Sequence, residues 1–125
     1  MNVPANLRYT SDHEWLLLEG DIAKVGITDH AQEELTDVVF VELPEMGRSC
    51  DAGDPVAVVE SVKAASDIYV PVAGEIVEGN MALEADPALI NTDPYGEGWI
   101  FKIRLNDPSS ADDLMDADAY RGLLG

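Results

Sequence analysis

The feature that most constrains the fold is how often the chain is interrupted. Gly20, Gly26, Gly47, Gly53, Gly74, Gly79, Gly96 and Gly98 recur at short intervals, with Pro44, Pro55, Pro71, Pro87, Pro94 and Pro108 among them. Long helices tolerate neither residue in their interior. The runs between them are short and rich in Val, Ile and aromatic residues, a pattern of many short strands joined by tight turns. Strands are expected near 13–18, 21–27, 38–43, 56–60, 66–70, 74–79 and 98–105. In the last, Trp99, Phe101, Ile103 and Leu105 alternate with Lys102 and Arg104, as a half-buried strand requires. Helices are few and short. "ITDHAQEELTD" offers Thr28 or Asp29 as an N-cap, with Gln32 three places after Asp29 as a capping-box partner. "ADPALIN" suits a short helix with Asp86 at the N-cap and Pro87 at the first helical position. "SSADDLMDADAYRGLL" begins with serine caps and first-turn acids. The architecture expected is mostly β with a few peripheral short helices, and 125 residues suffice for one domain, 1–125, with a modest core.

Charge narrows the partners. Twenty-five acids face seven bases, a formal net charge of −18. Such a surface repels phosphate backbones and anionic bilayers, which argues against nucleic acid and membrane partners. It also repels itself, and molar salt, with a Debye length of roughly 3 Å, relieves that cost. Scarce lysine and abundant aspartate suit a high-salt cytoplasm; a generally acidic carrier docking on basic partners accounts for the charge equally well. Cys50 is alone, so no internal disulfide is expected, which fits a reducing compartment. No apolar signal-peptide core and no bilayer-length apolar run is visible, so a cytoplasmic protein is the expectation.

One stretch remains, "ESVKAASD" at 60–67. The chain has three lysines, Lys24, Lys63 and Lys102, and Lys63 sits here among small and polar residues between two strands. That composition describes a tight turn with Lys63 near its tip. A tip lysine projects into water, whereas Schiff-base chemistry needs a desolvated amine, so a catalytic amine is disfavoured. Spacing alone leaves a plain surface lysine and an attachment point both open. There is no glycine-rich phosphate loop, no nucleophile elbow and no His/Cys metal spacing, so an enzyme is not the expectation.

The residues themselves resemble a known family. "ESVKAASDIYVPVAG" resembles the lipoyl-attachment segment of glycine cleavage system H proteins, whose lysine carries lipoic acid as an amide. "SDHEW" at 11–15, "VGITDHAQEELTDVVFVELPEMG" at 25–47, "GEIVEGN" at 74–80 and "PALINTDPYGEGWIFKIRL" at 87–105 resemble further family segments in order, over roughly residues 7 to 121. Thr36 departs from the pattern, since the family usually has glycine there, which bears on the turn after the first helix. The resemblance implies a lipoyl/biotinyl-carrier-like barrel-sandwich hybrid of two small antiparallel sheets, with the attachment hairpin at one end.

It also implies a carrier that is not itself an enzyme. Lipoyl-Lys63 would take an aminomethyl group from glycine at a pyridoxal-phosphate glycine decarboxylase. It would then yield the carbon to a tetrahydrofolate-dependent aminomethyltransferase, and a dihydrolipoyl dehydrogenase would reoxidise it. Lipoate-attachment enzymes are implied partners too. Glu60, Ser61, Val62, Ala64 and Asp67 form the attachment hairpin, with Glu60 and Asp67 read as recognition acids or as two more charges on an acidic surface. Ser11, His13 and Glu14, with Asp67 and, more remotely, His30, are candidates for a water-poor cleft that shelters the loaded arm. A monomer is expected, because serving several partners in turn needs an accessible hairpin. A biotin carrier is disfavoured because Val62 and Ala64, not methionines, flank Lys63. A lipoyl donor for other enzymes is the nearer alternative, and an acidic interaction module leaves "ESVKA" unexplained.

Overall fold

The computed structural model describes residues 2–125. The chain runs β1 (Arg8–Tyr9), β2 (Glu14–Glu19), β3 (Ile22–Ile27), α1 (Asp29–Leu35), β4 (Val38–Glu42), β5 (Ser49–Cys50), β6 (Pro55–Ser61), β7 (Ala65–Tyr69), β8 (Gly74–Gly79), α2 (Ala82–Ala85), α3 (Leu89–Thr92) and β9 (Phe101–Leu105). A 3₁₀ segment (Pro108–Asp113) and α4 (Ala117–Leu124) follow. The strands form two antiparallel sheets, one of six in the order β1-β2-β3-β9-β8-β5 and one of three in the order β4-β6-β7. The mostly β expectation holds. Two strands, β1 and β5, are only two residues long and carry no alternation to read in advance.

The main core lies where the sheets face each other. Val41, Val59 and Ile68 of the small sheet pack with Val25, Ile76, Phe101 and Ile103 of the large one. A second cluster joins Tyr9, Trp15 and Tyr120 beneath the loop at 10–13. There the Tyr9 and Tyr120 rings stack 4.6 Å apart and 8° from parallel, binding α4 to the start of the chain. Trp15 lies over Gly26, its cross-strand partner; a β-carbon on Gly26 would stand 2.7 Å from the indole. Only a glycine admits the ring at that distance.

Some local expectations need correction. The last strand begins at Phe101, and Ile100 and Phe101 are both buried, so the alternation breaks there. Trp99 therefore turns to the Lys102 side, with Lys102 Nζ 5.2 Å and Lys24 Nζ 5.8 Å from its ring centre. Cation–π attraction and the shelter of the lysine stems compensate for leaving the core side. Asp86 ends α2, and the following helix begins at Leu89 behind a turn, so Asp86 is not its N-cap. The serine caps near 109 also fail: Asp107 caps the 3₁₀ segment and Asp116 caps α4. The break between the two comes where Met115 pairs with Tyr9 through bonds of 2.8 and 3.0 Å. For α1 the cap is Thr28, whose hydroxyl accepts from Ala31 N. Gln32 is thus one place too late for a capping box and donates instead to Asp29 Oδ1 at 2.7 Å.

Candidate functional site

The hairpin of β6 and β7 carries Lys63. Ser61 N donates to Ala64 O at 2.8 Å, which leaves Val62 and Lys63 as a two-residue tip. Tips this short commonly use positive φ, yet among the described residues other than glycine only His13 and Thr36 have it. Ser61 provides the alternative: its hydroxyl oxygen accepts from Lys63 N and Ala64 N, both at 3.1 Å, and donates to Ala64 O. A small hydroxyl beside the lysine therefore shapes the turn. From outside the hairpin, Val62 N donates to Asp37 O at 3.0 Å, tying the tip to the loop between α1 and β4. Asn91 holds that loop in turn. Its amide donates to Thr36 O at 2.7 Å and to Gln32 Oε1 at 3.0 Å, and its oxygen accepts from Val38 N at 2.9 Å.

Lys63 is exposed, and its ammonium donates one long bond, 3.4 Å, to Glu34 O in the last turn of α1. Helix carbonyls without an intrahelical partner attract a cation there. Lys24 and Lys102, by contrast, sit against Trp99, and Lys102 also pairs with Glu78 at 3.5 Å. Ala64 and Ala65 beside Lys63 leave its stem unobstructed. Of the three lysines, Lys24 and Lys102 are half-buried, and Lys63 is exposed at a turn tip.

Beside it opens a cleft of about 190 Å³ walled by Asp12, His13, Ile27, Glu34, Ile68 and their neighbours Ala31, Leu35, Ser66 and Asp67. Glu34 thus belongs both to the cleft wall and to the Lys63 contact. His13 Nδ1 stands 2.8 Å from Tyr120 Oη, which stands 2.7 Å from Thr28 Oγ1. Donation from Thr28 to Tyr120 and from Tyr120 to His13 satisfies all three with a neutral imidazole. Burial, and then His30, whose ring lies 4.6 Å away, hold the His13 pKa below its ordinary value. His30 itself pairs with Glu34 at 2.8 Å behind the cleft wall.

Glu14 and Ser11 do not line this cleft. Ser11 is exposed on the preceding loop. Glu14 is 2% exposed, and its carboxylate accepts from Tyr69 N and Thr10 Oγ1, both at 3.0 Å. It fastens β7 to the start of β2 from beneath. Burial raises its pKa from 4.5 to about 7 against the lowering effect of those two bonds. Asp67 lies between the cleft and a second, larger groove. By register it faces Val58 across the strands, on the outward side of the small sheet, where it lines that groove with Glu42 and Arg48. Glu34 and Asp12 escape a reading of motifs: each is one acid among 25, and only the fold brings them to the cleft.

A small two-sheet β-sandwich that presents one unencumbered lysine on a hairpin, beside a cleft within that lysine's reach, is the build of a swinging-arm carrier. The profile of the glycine cleavage H-protein family matches residues 7–125, and the chain belongs to that family. Glycine cleavage system H proteins of Thermus thermophilus and Bacteroides thetaiotaomicron are 60% and 54% identical to it over 124 residues, covering 99% of this chain and 97% and 98% of theirs. That of Chromohalobacter salexigens is 56% identical, covering 98% of this chain and 95% of its own. Among solved structures, a glycine cleavage system H protein from Mycobacterium marinum superposes with a TM-score of 0.90 at 43% identity, over 98% of this chain and 99% of that one.

Proposed function

We propose that this chain, as one domain over 1–125, is the lipoyl carrier of a glycine cleavage system, with Lys63 as the attachment residue. Family membership makes it a carrier in that multienzyme system and not itself a catalyst. The observation that carries the lysine assignment is the contrast among the three: two lie against Trp99, and one is exposed at the hairpin tip with a single long bond to a backbone carbonyl. Those surroundings fit a lipoyl amide. The amine is exposed, Ser61, Ala64 and Ala65 near it are small, and acylation removes the charge that draws it to Glu34 O. When bound, the group supplies a disulfide that takes up and releases a one-carbon unit and is reoxidised afterwards.

The residues of this chain do the rest. Ser61 and the Val62–Asp37 bond hold the tip, so the arm pivots from a fixed base. Lysine stem and acyl chain together span on the order of 14 Å when extended, enough to lie along the adjacent cleft. Ile27, Leu35 and Ile68 give that cleft apolar lining, while Asp12, Glu34 and Asp67 offer carboxylates to a cationic amine. Glu14 positions β7 rather than touching the arm. The partners are a glycine decarboxylase, an aminomethyltransferase, a dihydrolipoyl dehydrogenase and the lipoate-attachment enzymes. A monomer in the cytoplasm suits this traffic, and among the described residues no helix is long and apolar enough to cross a membrane.

Intact mass and peptide mapping test the assignment after the apo protein is incubated with a lipoate ligase, lipoate and MgATP. One lipoyl group on Lys63, absent from Lys63→Arg and retained in Lys24→Arg and Lys102→Arg, is the expected result. Modification elsewhere, or none, overturns it.

A further inference from the structure

Phe40 and Val39 are the oddest residues on this surface. They lie 23 and 24 positions before Lys63, in β4, and are 52% and 53% exposed. The register brings them to the hairpin: Phe40 pairs with Glu60 and Val38 with Ser61, and Val39 is the bulged residue between. Val62, next to Lys63 and at 69% exposure, adds a third exposed apolar residue at the same end of the hairpin. Half of the exposed large apolar side chains among the described residues, three of six, are gathered here. Asp37, Glu42 and Glu60 rim the triad, and no Lys or Arg of β4 or β6 interrupts that rim. β4 is an edge of the small sheet, so the patch opens to solvent along the strand and over the outward face.

An apolar centre with a charged rim is the make-up of a protein interface. Two copies of this chain do not suit it, since their acidic rims would meet like against like. Reach separates the remaining occupants. An enzyme acting on the end of the arm works roughly 14 Å from the protein body, whereas an enzyme acylating Nζ works within the roughly 6 Å of the lysine stem and has to touch what surrounds its base. We infer that the Val39–Phe40–Val62 face is the docking surface of the enzyme that acylates Lys63, a partner that meets it with an apolar centre and a Lys/Arg rim. The inference rests on Lys63 being the attachment residue. Once docked, the amine attacks the acyl carbonyl of lipoyl-adenylate, the amide forms, and AMP and a proton leave.

The test is the rate of lipoylation of apo protein by a lipoate ligase with lipoate and MgATP, as a function of apo-protein concentration. Phe40→Ser and, separately, Val39→Ser are expected to lower kcat/KM at least tenfold, through KM, at unchanged kcat. Leu123→Ser, which changes an exposed apolar residue on α4 at the far end of the chain, is expected to match wild type. Should Phe40→Ser fail to fold by circular dichroism, Val39→Ser, on the bulge at the sheet edge, decides. Wild-type kcat/KM in both variants overturns the inference while leaving the carrier intact. A selective loss of glycine decarboxylation in the fully lipoylated variants, at normal lipoylation, gives the face to the decarboxylase and also overturns it. No lipoylation of wild type sinks the carrier assignment and this surface together.

Discussion

Glu14 is a carboxyl with two hydrogen bonds, no cation and almost no water. Its raised pKa of about 7 has a definite consequence for stability. The folded protein holds that proton more tightly than the unfolded chain does. The stabilisation is therefore complete below about pH 4.5 and is lost as the pH rises to about 7, amounting to about 3 kcal/mol. His13 acts oppositely, because its lowered pKa costs stability as the pH falls, so the wild-type curve alone mixes the two. The difference between Glu14→Gln and wild type separates them. The variant is expected to melt higher than wild type at pH 8, and the gap to narrow steadily towards pH 4.5; a gap independent of pH counts against a titrating Glu14.

At the scale of elements, the end of α1 matters most, because it supports the hairpin that carries Lys63. Thr36 closes that helix at φ 65°, ψ −144°, a conformation nearly reserved for glycine. Its N–H still reaches Gln32 O and Asn91 still binds its carbonyl, so the surrounding bonds impose the conformation on a β-branched residue. The family resemblance singles out this position as one that usually holds glycine, and the dihedral supplies the reason. Relief of strain on the order of 1–3 kcal/mol, less the greater chain entropy of glycine, leaves Thr36→Gly more stable by about 1 kcal/mol. Differential scanning calorimetry is expected to show a rise of about 4 °C; a lower melting temperature contradicts the strain. The same element shows where motif reading stops. Thr28 as a cap is local chemistry and legible in advance, but Asn91, which holds this helix end from a helix more than fifty residues later, carries no sequence signal.

For the whole molecule the dominant fact is unbalanced charge. Among the described residues, three acids pair with Lys or Arg, at 3.1 to 3.8 Å, and all three pairs reach solvent. Most of the 25 acids therefore face water and one another, and salt screens that repulsion more than it weakens three surface pairs. The melting temperature is expected to climb from low to molar KCl, and a flat or falling series removes self-repulsion as a limit on stability.

By itself the sequence determined the β-rich class, the principal strands and the turn that carries Lys63. These follow from short-range chemistry: punctuation by glycine and proline, alternation, and a contiguous motif around Lys63. It did not determine which way Trp99 turns, that Glu14 lies under β7 rather than in the cleft, or that Phe40 stands beside the Lys63 hairpin. Each of those depends on which strands become neighbours and in what register. A one-residue bulge at Val39 or a break in alternation at Ile100 moves a side chain to the other face. Such shifts are settled when the two sheets close over a shared core, because only that packing decides which register buries the most apolar surface.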